Sequence, residues 1–386
     1  MHIAFLTPEY PDLPDSNSGG LGTSIQNLAA ALSEFEGIKV SIIVYDQRRD
    51  DFFQKDNLNF HLIAKRNYSL GGWYRYRKHL EKVINDLAVK EDIDVIEAAD
   101  WTGITAFMKL NVPLVIRLHG SDAYFCDLEG RKQKWKNRWF EKNALQNADE
   151  IISVSEFTGS RTMKVFDLKK NFKVIANGLD LENFKPSEAK PKTNQVLYFG
   201  SLIRKKGFLE LAEIFNLVYL KNPEAKLVIA GRDVIDNEKG ESTWKTFQSI
   251  LNSKTSKNVK YLGQVNYKVI INLLEESTVV VLPSFAEAFP MTWLEAMAME
   301  KALVTSNIGW AKEIMVQEKT GYMEHPNDHD RVAEKILKLL QDDKLRKRMG
   351  AQARKKVQQE FNSTIIASKN LKFYKLVLKD QSSDYH

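Results

Sequence analysis

The stretch PSFAEAFPMTWLEAMAME, residues 283–300, decides the fold. Immediately before it runs TVVVL, residues 278–282, a short, β-branched, apolar segment suited to a strand covered on both faces. Pro283 and Ser284 end that strand. Residues 293–299 are rich in Leu, Glu, Ala and Met, the side chains that cost least in a helix. A strand, a loop and a helix in that order aim free backbone N–H groups above the sheet's carboxyl edge, where anions are favoured. A diphosphate fits such a place, and Glu287 and Glu295 flank the helix start, ready to hold hydroxyl groups on either side of it. Two plainer readings stand beside this one. Thr292-Trp-Leu-Glu295 also spells a capping box, in which the glutamate satisfies the cap's own N–H. A loop glutamate such as Glu287 is often simply solvated.

Outward from this stretch the chain alternates strands and helices. Residues 2–7, 39–45, 95–98, 114–118, 150–154 and 172–175 read as strands, with amphipathic segments such as 23–35 and 74–89 between them. A second alternation places strands at 195–199, 226–230, 259–262, 278–282 and 302–305, followed by charged helices at 331–340 and 344–360. Asn362 and Ser363 offer a cap for a last helix at 364–378. KPSEAKPKTN, residues 185–194, is polar, carries two prolines and lacks periodicity, and so reads as an interdomain linker. The chain has 386 residues, beyond the size at which a single core stops growing, and 43% of them are hydrophobic, enough for two cores.

A single cysteine, Cys126, excludes an internal disulfide and any multi-cysteine metal site, which suits a reducing compartment. No apolar run approaches the roughly 18 residues that span a bilayer, and MHIAFLTPEY reads as a strand and a turn, not a secretory signal. The expectation is a cytoplasmic protein. Its formal charge of +6 favours anionic partners, an acidic membrane surface among them. No helix-turn-helix, zinc-finger or RNA-binding signature accompanies that charge, so nucleic acid is not an expected partner.

Four motifs in order carry a family resemblance. Gly19-Gly20-Leu21-Gly22 follows the first strand; VIANGLDLENF occupies residues 174–184; YFGSLIRKKG occupies 198–207; and Glu287 and Glu295 form an E-x7-E pair. Together they resemble the retaining glycosyltransferases of family 4. That resemblance implies the GT-B fold, with two Rossmann-like doubly wound domains facing a central cleft and a C-terminal helix crossing back to the first domain. The implied boundaries are an acceptor-binding domain at 1–184, a linker at 185–194, a donor-binding domain at 195–361 and a returning helix at 362–386.

The resemblance also assigns roles. Glu287 matches the glutamate that binds donor-sugar hydroxyls, Glu295 the one that holds the nucleotide ribose, and Lys206 the lysine that grips the diphosphate. His119, in VIRLHGSD just past a strand, resembles a histidine near the reacting centre, and Glu287, His119 and Lys206 form the implied catalytic set. Gly19, Gly20 and Gly22 bring backbone close to the phosphates, where a Cβ would collide. The N–H groups of Phe289, Met291 and Thr292 face the sugar or phosphate. The chain departs from the pattern in two places. Ser201 stands where an arginine is usual, so one cation is missing, and Arg204 or Lys205 is the candidate to reach the same phosphate. Pro290 stands where many relatives have glycine and contributes no N–H.

Asp92-Ile93-Asp94 spells D-x-D but precedes a strand, so metal is not indicated, and no cofactor is expected beyond the nucleotide-sugar donor as substrate. The implied reaction is a retaining, metal-independent transfer to a lipid-linked or saccharide acceptor in cell-surface polysaccharide or glycolipid synthesis. A nucleotide-sugar epimerase on the same fold and a non-catalytic sugar-binding or scaffold protein remain as alternatives. Two basic aromatic segments, WYRYRK at 73–78 and RKQKWKNRWF at 131–140, suit the acceptor side. The second reads as a helix fit for peripheral association with an anionic membrane surface, or as one burying its aromatics on the sheet with a wet basic face.

Overall fold

The computed structural model describes residues 1–11, 13, 18–187, 191–236 and 238–383. The expected linker at 185–194 and the end of the expected segment 362–386 fall partly outside the described residues. The chain divides into two compact units, one formed by Met1–Asp180 with Phe361–His386, the other by Leu181–Glu360. Each is an α/β unit built on its own mostly parallel sheet.

The first unit contains β1 (His2–Thr7), β2 (Lys39–Gln47), β3 (Asp51–Lys55), β4 (Leu58–Ala64), β5 (Val95–Ala99), β6 (Leu114–Leu118), β7 (Glu150–Ser153) and β8 (Lys173–Val174). They lie in the order β3-β4-β2-β1-β5-β6-β7-β8, parallel except where β3 meets β4. The apolar runs are buried on both faces, as a doubly covered sheet requires. Ile3 and Phe5 face one core, Ala4 and Leu6 the other. α1 (Gly20–Ser33) and the final helix (Ser363–Ser383) supply Ile25, Leu28, Leu32, Ile366, Leu371 and Tyr374 to the first core. α2 (Gly72–Glu91), α4 (Trp135–Asn147) and α5 (Glu156–Phe166) cover the second, while the short α3 (Asp122–Leu128) follows β6.

Three local expectations shift here. Strands β3 and β4 had been missed; they form a hairpin around Asp56 and Asn57, both at positive φ, with Phe52 left exposed. The aromatic basic helix begins at Trp135, not at residue 131, because Lys134 is extended at its N-cap. The last helix begins at Ser363, where the Asn362 carboxamide accepts from Thr364 N–H at 2.9 Å.

The second unit contains β9 (Gln195–Phe199), β10 (Lys226–Ala230), β11 (Val259–Tyr261), β12 (Val279–Leu282), β13 (Leu303–Ser306) and β14 (Gly321–Glu324). All run parallel in the order β11-β10-β9-β12-β13-β14. Its helices are α6 (Glu210–Lys221), α7 (Thr243–Ile250), α8 (Tyr267–Glu276), α9 (Met291–Ala298), α10 (Ala311–Ile314), α11 (His329–Gln341) and α12 (Asp343–Lys356). The strand order reverses between β9 and β12, which opens a crevice at their carboxyl ends.

Candidate functional site

The loops leaving β9 and β12 carry the candidate residues, and backbone geometry binds one loop to the other. After β9 the chain makes a tight 3-10 turn at Arg204–Lys206 and ends it at Gly207, φ +64°. A Cβ on Gly207 would lie 1.9 Å from the Pro283 carbonyl oxygen, so only glycine lets the turn rest on the β12 loop. In return, the N–H groups of Phe285 and Ala286 donate to the Lys205 carbonyl at 2.8 and 3.1 Å.

This lacing brings Lys206 to Glu287. The Lys206 Nζ stands 3.1 Å from Glu287 Oε1, and the Ser284 hydroxyl donates to that same oxygen at 3.0 Å. Arg204, the first residue of the same turn, has other partners. Its guanidinium meets the buried Asp236 carboxylate at 2.7 to 2.9 Å and Glu238 at 3.3 Å, so it braces the turn that presents Lys206. Ser201, expected from the resemblance to leave one cation missing, offers its carbonyl to the Tyr198 hydroxyl at 3.1 Å.

Glu295 lies on α9, and the capping-box reading of it does not hold. The helix begins at Met291 with Pro290 at its N-cap and no side-chain cap, which makes Thr292 an interior residue. Glu295 instead hydrogen-bonds the side chain of Tyr267, the first residue of α8. Only 4% of its surface is exposed. Burial pushes its carboxyl up to about 7, against the pull of the Tyr267 hydrogen bond and the Lys206 charge. Met291 and Thr292 open the helix, where N–H groups have no intrahelical acceptor, and Phe289 is buried just ahead of them.

In the first unit the glycine turn opens α1. Gly19 is its N-cap and has no side chain to offer. A residue missed from the sequence fills that role: Glu9 Oε1 accepts from Gly19 N–H at 2.8 Å and from Gly22 N–H at 2.9 Å. A Cβ on Gly22 would lie 2.1 Å from the Ser18 hydroxyl, whereas one on Gly20 would meet none of the described residues within 4 Å.

His119 follows β6 directly, and its N–H donates at 3.0 Å to Asp100, the residue just past β5. Burial, with the positive Arg117 nearby, lowers its imidazole to about 3. His119 is thus neutral throughout the physiological range, a hydrogen-bonding group and not a cation. Burial also raises the Asp100 carboxyl to about 7.

The candidate residues therefore fall into two groups. Lys206, Glu287, Phe289, Met291, Thr292 and Glu295 gather at the switch point of the second unit; Gly19, Gly20, Gly22 and His119 line the carboxyl edge of the first. The supporting Glu9, Tyr267 and Asp236 were not singled out in the sequence. Only Glu9 left a trace there, an acidic residue between the first strand and the glycines. Among the described residues, no group of three or more His, Cys, Asp or Glu side chains is placed to hold a metal ion.

The model of the family described as Glycosyltransferase Family 4 matches residues 18–183, and that of Glycosyl transferases group 1 matches residues 180–356. An uncharacterized glycosyltransferase of Methanocaldococcus jannaschii is 26% identical over 340 residues, 86% of this chain and 88% of that protein. The capsular polysaccharide biosynthesis glycosyltransferase CapM of Staphylococcus aureus is 28% identical over 254 residues, 62% of this chain and 65% of that protein. Among solved structures, the sucrose-phosphate synthase of Thermosynechococcus elongatus superimposes with a TM-score of 0.82 at 19% identity, covering 98% of this chain and 99% of its own.

Proposed function

We propose, because this chain belongs to the GT-B glycosyltransferases of the family 4 type, that it moves a sugar from a nucleoside diphosphate sugar to a hydroxyl acceptor, with retention and without a metal ion. The observation that carries this reading is the Lys206–Glu287 pair at 3.1 Å, laced by backbone to the turn before α9. Lys206 supplies a fixed positive charge for a departing diphosphate, and the first N–H groups of α9 add a dipole of the same sign. In this reading Glu287 takes hydroxyl donors of the sugar, and Glu295 those of the nucleoside ribose.

In the transfer, the anomeric carbon's bond to the diphosphate oxygen breaks and a bond to the acceptor oxygen forms on the same face. The acceptor proton goes to the leaving phosphate. Positive charge at the diphosphate does what a divalent ion does elsewhere, so the reaction proceeds with chelator present. The likeness to a capsular polysaccharide glycosyltransferase supports a saccharide or lipid-linked acceptor in cell-surface polymer or glycolipid synthesis.

The test is a screen of UDP-, GDP- and ADP-sugars for thermal stabilisation and for turnover, with and without EDTA. One donor family should stabilise the protein and turn over equally in EDTA. Lys206→Ala should lower kcat by about 10² to 10³, the loss typical of one transition-state charge partner. Turnover abolished by EDTA and restored by a divalent ion would overturn the metal-independent reading, and no response to any donor would overturn the transferase reading.

A further inference from the structure

Between α3, α4 and α5 of the first unit lies a cavity of about 540 Å³ lined by Arg131, Lys132, Arg138, Arg161 and Lys164, with Asp127 the one carboxylate among the described residues of its wall. Two of the five cations are compensated: Arg161 pairs with Asp127, and Arg131 with Glu129. Arg138 donates to the Val165 carbonyl and lies 5.3 Å over the Phe166 ring, and among the described residues no carboxylate pairs with it. Among the described residues, neither Lys132 nor Lys164 has a carboxylate within ion-pair distance. The cavity thus carries excess positive charge on the helical layer. The candidate residues of this unit lie elsewhere, at the carboxyl edge of the sheet.

Beside it, α4 turns out aromatic side chains that a soluble helix would bury. Phe140 is buried, but Trp135 is 77% exposed and Trp139 44% exposed, and their spacing of four places both on one face. Trp139 continues into a patch with Phe107 at 4.8 Å and Trp73 at 5.7 Å between ring centroids, and Tyr74 is exposed at its edge. The reading in which this helix buries all its aromatics against the sheet therefore holds only for Phe140.

We infer that this face of the first unit docks on an anionic lipid bilayer, with headgroup phosphates seated in the Arg138–Lys132–Lys164 cavity and Trp135 and Trp139 in the headgroup layer. Indole rings favour that layer, whose carbonyls and water satisfy their N–H groups while the ring meets apolar chains. Charge complementarity selects the occupant: uncompensated lysines near a surface attract anionic lipid, and a neutral surface offers them nothing. The inference stands apart from the transfer reaction, since docking needs no donor.

The test is co-sedimentation of the full chain, without donor, with vesicles of phosphatidylcholine alone and of two parts phosphatidylcholine to one part phosphatidylglycerol. Binding should be confined to the anionic vesicles, weaken with salt and shift tryptophan emission to the blue. Lys132→Ala combined with Lys164→Ala should weaken partition by about thirty-fold, and Trp135→Ser with Trp139→Ser should remove the emission shift. Donor-induced thermal stabilisation, read in parallel, keeps a misfolded variant from passing as a binding defect. Absence of binding at low salt, equal binding to both vesicles, or full binding by the lysine double variant would each overturn the inference. So would capture by a soluble polyanion such as heparin with none by vesicles, which would make the cavity a polysaccharide site.

Discussion

At Glu295, burial and chemistry pull in opposite directions. A carboxyl almost sealed from water resists ionisation, and this one titrates near 7 despite the Tyr267 hydrogen bond and the Lys206 charge. Both its oxygens can accept from a pair of vicinal hydroxyls only once the proton has left. Donor KM should therefore fall as pH rises through about 7, and Glu295→Gln should flatten that inflection; steady-state kinetics from pH 5.5 to 8.5 checks it. Stability runs the other way. The folded value lies above the ordinary glutamate value of about 4.5, so the native state binds the extra proton. The associated stability is complete below about 4.5 and is lost as pH rises through about 7. Relative to wild type, Glu295→Gln should gain on the order of 3 kcal/mol between pH 4.5 and pH 8, read from urea unfolding. His119 adds no inflection to activity in this range, because its imidazole, lowered to about 3, is already neutral.

The final helix shows how an element can be seen in a sequence while its purpose stays hidden. Its cap at Asn362 and Ser363 was legible, but its buried polar contacts were not. Glu97 on β5 and Arg117 on β6 form a buried pair, with Nε to Oε1 at 2.7 Å and Nη2 to Oε2 at 2.9 Å. The final helix completes the network: Tyr374 donates to Glu97 Oε2 at 2.7 Å, and Asn370 accepts from Arg117. Glu97→Ala should cost about 3–5 kcal/mol, because it leaves a guanidinium buried without its charge partner. Tyr374→Phe should cost about 1.5–3 kcal/mol, one hydrogen bond to a charged group; chemical denaturation distinguishes the two. The same contrast runs through the site. Lys206, Glu287 and Glu295 could be picked out because each lies in a short segment that resembles a family motif. Tyr267 and Asp236 could not, since each reaches its partner from a separate segment, 28 and 32 residues away in sequence. Strands with continuous apolar runs were read correctly in kind, whereas β3, polar and at the sheet edge, gave no such run.

At the scale of the whole molecule, the order of the chain makes the second unit an insertion into the first. The chain leaves the first unit after Asp180 and returns at Phe361, and the two crossings are tied together there. Leu179 N–H donates to the Phe361 carbonyl at 2.8 Å, and Ser363 N–H to the Leu179 carbonyl at 3.0 Å. The second unit is also closed upon itself, since Arg354 on α12 donates to the Phe184 carbonyl at 2.7 Å and to the Ala298 carbonyl. It is thus a continuous run of chain with its own sheet, covering helices and tied ends, large enough to fold alone. The first unit lacks that independence, because residues 1–180 without the final helix leave Arg117 and Glu97 without Asn370 and Tyr374. A fragment spanning residues 181–360 should therefore melt in one cooperative transition, while residues 1–180 expressed alone should be unfolded or aggregate. If the nucleotide binds at the β9–β12 switch point, donor at 100 times its dissociation constant adds about 2.7 kcal/mol to the fragment. That raises its Tm by roughly 5–10 °C. In the full chain the same donor should move the transition of the second unit, followed by calorimetry. A fragment that folds but gives no shift, while the full chain does, would mean that groups of the first unit are required to hold the donor.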